Sequence, residues 1–218
     1  LKLQAGTHKL RVICQNGAVT VDWFRFTYSS STLPQGWKNT DIGNALVPGF
    51  SGYRDGVFYI GGTAASKGLY LTRDDVHFAY TRFSGDFEVV GRMLTHAYTH
   101  NWARAGIMVR QSLKPDSPYA FLTVTAKNSP ILFFRKNKGE KNDFHNWQNR
   151  GNNNWIKITR KGNRFVGYKS PDGKTWTTLG LWASDGNAEV KMSKDVYIGF
   201  AILSNTPGRF ATASFDKF

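Results

Sequence analysis

Trp102-Ala103-Arg104-Ala105-Gly106-Ile107-Met108-Val109-Arg110 alternates, with Ala103, Ala105, Ile107 and Val109 on one parity and Trp102, Arg104, Gly106, Met108 and Arg110 on the other. Successive side chains of an extended strand point to opposite faces, so this stretch reads as a β-strand with its small and aliphatic residues turned to a core. Tyr119-Ala120-Phe121-Leu122-Thr123-Val124-Thr125 divides in the same way, with Ala120, Leu122 and Val124 inward. Two such neighbours bring Trp102, Arg104, Arg110, Tyr119 and Phe121 onto the face that looks away from that core. Two readings follow: a sheet face open to an extended ligand, or aromatics that a loop covers to extend the core.

Working outward, short runs rich in Val, Ile, Phe, Tyr and Thr recur at 9–14, 20–27, 56–61, 76–83, 86–94, 131–136, 155–160, 164–169, 175–181, 195–203 and 211–218. Gly, Asn, Asp and Pro punctuate them, and helical periodicity is nearly absent. The pattern predicts an all-β fold, an antiparallel two-sheet β-sandwich. A chain of 218 residues buries a continuous core without a disulfide or metal framework. Cys14, the single cysteine, cannot close an internal disulfide and reads as an inert thiol in a strand.

The Ser-rich stretch within 29–35 has linker composition and separates a hairpin at 1–28 from a domain at 36–218. Leu1-Lys2-Leu3-Gln4-Ala5-Gly6 reads as the middle of a strand, which predicts a piece of a longer protein. Asp172-Gly173 predicts a two-residue hairpin turn. The Asn-rich stretch 136–154 predicts a long loop.

Lys and Arg number 29 against 15 Asp and Glu, a formal charge of +14. Such a chain attracts nucleic acid, anionic membrane surfaces, or sulfated or uronate polysaccharides, and charge alone does not separate them. Between Arg135 and Arg164, nine cations stand against two acids, interleaved with Phe144, Trp147 and Trp155. No RNP-type, zinc or OB pattern supports nucleic acid. No apolar run is long enough to insert in a bilayer. An acidic polysaccharide remains the expected partner, with Trp102, Tyr119, Trp147 and Trp155 stacking on sugar rings. Arg104, Arg110, Arg135 and Lys136 would pair with sulfate or carboxylate.

Catalytic signals are weak. His96 and His100 stand four apart, but their neighbours argue against a helix, so a turn exposing both is expected. Tyr98, His100, Arg104 and His145 have the residue types of a uronate lyase without a spacing that demands one. Asp86 and Glu88 share one strand face and are the nearest approach to a hydrolase pair, which needs two carboxylates about 5 to 9 Å apart. Asp74, Asp75, Asp86 and Glu88 are candidates for a structural calcium, the one cofactor considered.

The run Gly85-Asp86-Phe87-Glu88-Val89, then Trp102 to Leu113, then Asp116-Ser117-Pro118-Tyr119-Ala120-Phe121 resembles a family of concanavalin A-like (laminin-G/glucanase-type) sandwich modules, the DUF1349-like domains. Trp155-Ile156-Lys157-Ile158-Thr159-Arg160, Asp172-Gly173-Lys174-Thr175-Trp176, Val196 to Ala201 and Ala213-Ser214-Phe215-Asp216 follow in order. The resemblance covers roughly 36–218 and implies a concanavalin A-like jelly roll with a non-catalytic carbohydrate-binding role. It further implies a secreted or cell-surface, multi-modular bacterial protein, with polysaccharide-degrading modules adjacent on the same polypeptide. It brings no catalytic residue set, and the basic segment points to acidic glycans. Ala5 to Val12 with Val21-Asp22-Trp23-Phe24-Arg25-Phe26 is similar to the closing hairpin of a family 6 or family 35 carbohydrate-binding module.

Overall fold

A computed structural model of the protein describes residues 32–64, 72–126, 130–146, 153–179 and 187–218, with backbone alone at 145 and 146. The hairpin at 1–28, linker residues 29–31, Cys14 and Trp147 lie outside the described residues.

The described strands are β1 (Lys38–Ile42), β2 (Phe50–Arg54), β3 (Val57–Gly62), β4 (Val76–Ser84), β5 (Phe87–His96), β6 (Arg104–Arg110), β7 (Tyr119–Thr125) and β8 (Pro130–Arg135). They continue as β9 (Asp143–Asn146), β10 (Trp155–Lys161), β11 (Arg164–Ser170), β12 (Thr177–Thr178), β13 (Asn187–Glu189), β14 (Asp195–Leu203) and β15 (Ala211–Asp216). No helix occurs among the described residues. One sheet has seven strands in the order β1-β4-β14-β6-β7-β8-β9. The other has eight, β12-β11-β10-β5-β15-β3-β2 with β13 also on β11, and every pairing is antiparallel.

Alternation sets the packing. Ala105, Ile107 and Val109 of β6 and Ala120, Leu122 and Val124 of β7 enter the core between the sheets, against Phe58, Ile156, Ile158, Phe200 and Phe215. Phe200 and Phe215 stack at 4.3 Å across the two sheets. Gly106 is required where β6 meets β7, because a Cβ there would collide with the Leu122 carbonyl.

The opposite face of the seven-stranded sheet is also buried. Phe78, Met108, Tyr119, Phe121, Ile131, Phe133 and Leu203 form a second apolar cluster. Of the two readings of the outward aromatics, extension of the core holds for Tyr119 and Phe121, whereas Trp102 keeps 41% of its surface exposed.

Strands β1 and β2 were not expected, because their short polar or Gly-containing sequences carry little alternation. Strand β9 runs inside the stretch read as a loop, extending the sheet beyond β8 with Phe144 opposite Phe133. The link from β11 to β12 is longer than a two-residue turn. Its shape comes from Asp172, whose Oδ1 accepts from the Lys174 and Thr175 backbone N–H groups at 2.8 Å each. Those bonds hold its carboxyl down at about 2.

Candidate functional site

Four of the residues expected to meet a ligand are buried instead. Arg104, Arg110, Arg135 and Tyr119 are 0% exposed. Arg110 donates from Nη1 to Asp74 Oδ2 at 2.7 Å, and Arg135 reaches both Asp74 oxygens at 2.7 and 2.8 Å. The remaining guanidinium N–H groups meet the backbone carbonyls of Ser112, Lys114, Pro115, Ser117 and Glu140. The Tyr119 ring lies beneath both guanidiniums, and burial pushes its phenol well above the ordinary value. These cations hold the sheet to the loop at 111–118. The alternation placed them on the correct face without revealing that this face is covered.

The acids considered for calcium are dispersed in the same way. Asp74 is taken by the arginines, Asp75 accepts from the Asn44 N–H, Asp86 accepts from the Gly162 N–H, and Glu88 faces Lys157. Asp75 and Asp86 flank opposite ends of β4. Among the described residues no three His, Cys, Asp or Glu side chains gather as a metal site.

At one end of the seven-stranded sheet, an open groove of about 460 Å³ is lined by Arg82, Phe83, Ser84, Gln111, Ser193, Asp195, Val196 and Tyr197. Arg82 and Tyr197 are opposite one another on β4 and β14. The guanidinium lies 5.5 Å from the Tyr197 ring centroid and donates to its hydroxyl at 3.3 Å. No carboxylate of the described residues is within ion-pair distance of Arg82. Phe83 is 42% exposed, and Gln111 is fixed to Ser193 by bonds to its Oγ and backbone N–H. Sequence reasoning missed this groove, because its residues come from strand ends where alternation no longer reports facing.

At the other end, the loop at 97–103 carries Tyr98, His100 and Trp102. Tyr98 is 64% exposed and Trp102 41%. Arg104 sits between Trp102 and Phe133, 5.9 and 4.4 Å from their ring centroids. The four residue types of a lyase are therefore not assembled as an open set: Arg104 is buried, and His145 stands on the edge strand β9 opposite Leu132.

Trp155 and Lys136 complete the expected ligand contacts. Lys136 is exposed beside the Phe134 ring. Trp155 lies on the eight-stranded sheet, away from Trp102, between Arg92 and the turn at Gly173. Arg92 is bound to Asp216, whose carboxyl it holds below the usual carboxylate range. Lys157 is flanked by the Tyr168 and Trp176 rings at 4.8 Å each. Arg92 and Lys157 on this face already have partners.

One constellation was not foreseen. Ser51 Oγ is 2.8 Å from His77 Nε2, and His77 Nδ1 is 2.7 Å from Asp41 Oδ1, which also accepts from the Gly49 N–H. The connectivity is that of a nucleophile, base and orienting acid. His77 is 1% exposed, and Cβ atoms at Gly49 or Gly62 would run into its side chain. The three residues therefore form a polar bond between β2 of one sheet and β1 and β4 of the other.

Fold and groove together describe an antiparallel two-sheet β-sandwich with a polar and aromatic cleft at a sheet end. No protein-family model matches the chain, and no curated protein matches it. A functionally unknown protein from Saccharomyces cerevisiae shares the fold with a TM-score of 0.61 at 19% identity, over 82% of this chain and 93% of that one. A mutant of the GH43 protein BlXynB from Bacillus licheniformis shares it with a TM-score of 0.56 at 15% identity, over 85% of this chain. The present chain spans 36% of that protein's length. At these identities the likeness speaks for the fold.

Proposed function

We propose that the protein is a non-catalytic carbohydrate-binding module that takes an acidic polysaccharide, sulfated or uronate, in the groove between Arg82 and Tyr197. The observation that carries this reading is Arg82, a solvent-exposed cation with no carboxylate partner among the described residues, held against one aromatic ring and beside exposed Phe83. A planar guanidinium matches carboxylate or sulfate oxygens, and Phe83 and Tyr197 offer apolar surface to a sugar ring. Asp195 adds a carboxylate to the groove wall for sugar hydroxyls, beside Gln111 and Ser193, which are bonded to each other. The net charge of +14 draws polyanions from a distance.

Among the described residues that line the groove, only Asp195 is a carboxylate. Glycoside hydrolysis uses two, about 5 to 9 Å apart, which favours binding over cleavage. We read the setting as a secreted or cell-surface multi-modular protein that degrades polysaccharides. Support comes from the motif resemblance and from the GH43 protein, whose like-folded part is 36% of a longer chain. No helix among the described residues is long and apolar enough to cross a membrane.

Calorimetry with uronate and sulfated oligosaccharides, against neutral ones of equal length, tests the reading. Arg82→Gln is expected to weaken acidic ligands by about tenfold or more, the worth of a charged hydrogen bond, and to leave neutral ones unchanged. Equal affinity of wild type and Arg82→Gln for acidic oligosaccharides would sink the proposal, as would no preference for them over neutral ones.

A further inference from the structure

Residues 190–194 carry the chain from β13 on the eight-stranded sheet to β14 on the seven-stranded one, as a strap across the end of the sandwich where Arg82 stands. One buried guanidinium clamps this strap. Arg160 donates to the carbonyls of Met192, Ser193 and Lys194 at 3.2, 2.7 and 3.2 Å, and its Nε meets the Gly162 carbonyl at 2.8 Å. The Gly85 N–H also donates to the Lys194 carbonyl, and the Val190 N–H to the Asn163 carbonyl.

The clamp decides which side chains face water. Val190 and Met192 enter the core, so Lys191 and Ser193, which alternate with them, stand outside, and Lys194 is exposed as well. Ser193 and Asp195 belong to the groove wall, which makes the strap a continuation of the groove. Neither Lys191 nor Lys194 has a carboxylate within ion-pair distance among the described residues. Of the acids nearby, Asp86 accepts from the Gly162 N–H, Glu189 stands opposite Arg164, and Asp195 lies in the groove wall. Arg82, Arg160, Lys191 and Lys194 are thus gathered at one end on a fixed backbone, and an anion lying along them relieves their mutual repulsion.

We infer that the strap extends the groove into a strip for a polyanionic sugar chain, with Lys191 and Lys194 pairing with carboxylates or sulfates on repeats beyond the one held at Arg82. This rests on the groove reading above. Lys191 is six residues before Tyr197, a span of up to about 20 Å, so successive charged repeats rather than a single sugar reach all three cations.

Calorimetry of the full chain with uronate oligosaccharides from disaccharide to hexasaccharide, at about 0.15 M salt, tests it. The double variant Lys191→Gln with Lys194→Gln is expected to melt as wild type does and to bind the disaccharide equally well. It is expected to lose about fivefold in affinity for the hexasaccharide, the worth of two exposed ion pairs. A control carrying Lys174→Gln with Arg209→Gln has the same formal charge, with its changes in the links that follow β11 and β14, at the far ends of those strands. It is expected to keep the wild-type affinity for both lengths. Arg82→Gln is expected to weaken both lengths, so a loss at Arg82 without one at the strap is failure of the strip alone, whereas no loss at Arg82 is failure of the groove and of the strip with it. The inference is overturned if the strap variant binds the hexasaccharide no more weakly than the control. It is equally overturned if a single-stranded oligonucleotide of matched charge binds more tightly through the same lysines, which would assign the strap to nucleic acid.

Discussion

Arg135 meets both carboxylate oxygens of Asp74, and Arg110 shares one of them, so a single buried anion serves two buried cations. Taking ions out of water is costly, and the arrangement holds because nearly every lone pair and N–H has a geometric partner. Removing Asp74 leaves two guanidiniums facing each other without a counter-charge. Asp74→Asn is therefore expected to destabilise the fold by about 3–5 kcal/mol. A urea unfolding midpoint that moves by less than the scatter between repeats would contradict this account.

His96 presents the reverse case, a half-buried residue whose buried ring nitrogens meet no partner among the described residues. Burial of the ring lowers its pKa from 6.5 to about 4. Between those values the unfolded chain takes up a proton that the folded chain refuses. Stability from this group is therefore complete above about pH 6.5 and falls as pH drops towards 4, by about 3 kcal/mol in all. His96→Phe removes the titration and replaces an unsatisfied polar ring by an apolar one of similar size. Urea midpoints at pH 7 and 4.5 are expected to differ less in the variant than in wild type. Equal pH dependence in both proteins would show that His96 is not the group responsible.

The fold was legible because β6 and β7 alternate cleanly, and Ala105, Ile107, Val109, Ala120, Leu122 and Val124 all entered the core as read. Alternation reports which side a residue takes, and it is silent on whether that side is wet. For that reason the sequence alone reads Arg104, Arg110 and Arg135 as ligand contacts, although Asp74, distant in sequence, pairs with two of them inside the fold. The groove escaped notice for a related reason. Arg82 and Tyr197 become neighbours only through the pairing of β4 with β14, which no local pattern encodes.

The bond between Ser51, His77 and Asp41 is expected to act on stability. Asp41 serves the His77 ring and the Gly49 N–H together, so Asp41→Ala strands two donors. A loss of about 2 kcal/mol is expected, against about 1 kcal/mol for Ser51→Ala, where His77 keeps its acid. Thermal melts of the two variants check the order. A larger loss in Ser51→Ala would mean that the link to β2, rather than the acid, carries the interaction.

Preference for acidic glycans has two physical sources, and salt separates them. The +14 charge acts at long range and is screened within about 10 Å at 0.1 M salt and about 3 Å at 1 M. A direct contact between Arg82 and a carboxylate or sulfate survives more of that screening, because the partners touch and the Tyr197 ring shields one side. The affinity ratio of a uronate oligosaccharide to its neutral counterpart is therefore expected to fall with salt to a plateau above one. Arg82→Gln is expected to remove the plateau while keeping much of the low-salt preference, since it takes away one charge of the surplus. A wild-type ratio that falls to one at 1 M salt would assign the whole preference to net charge and leave Arg82 without a specific role.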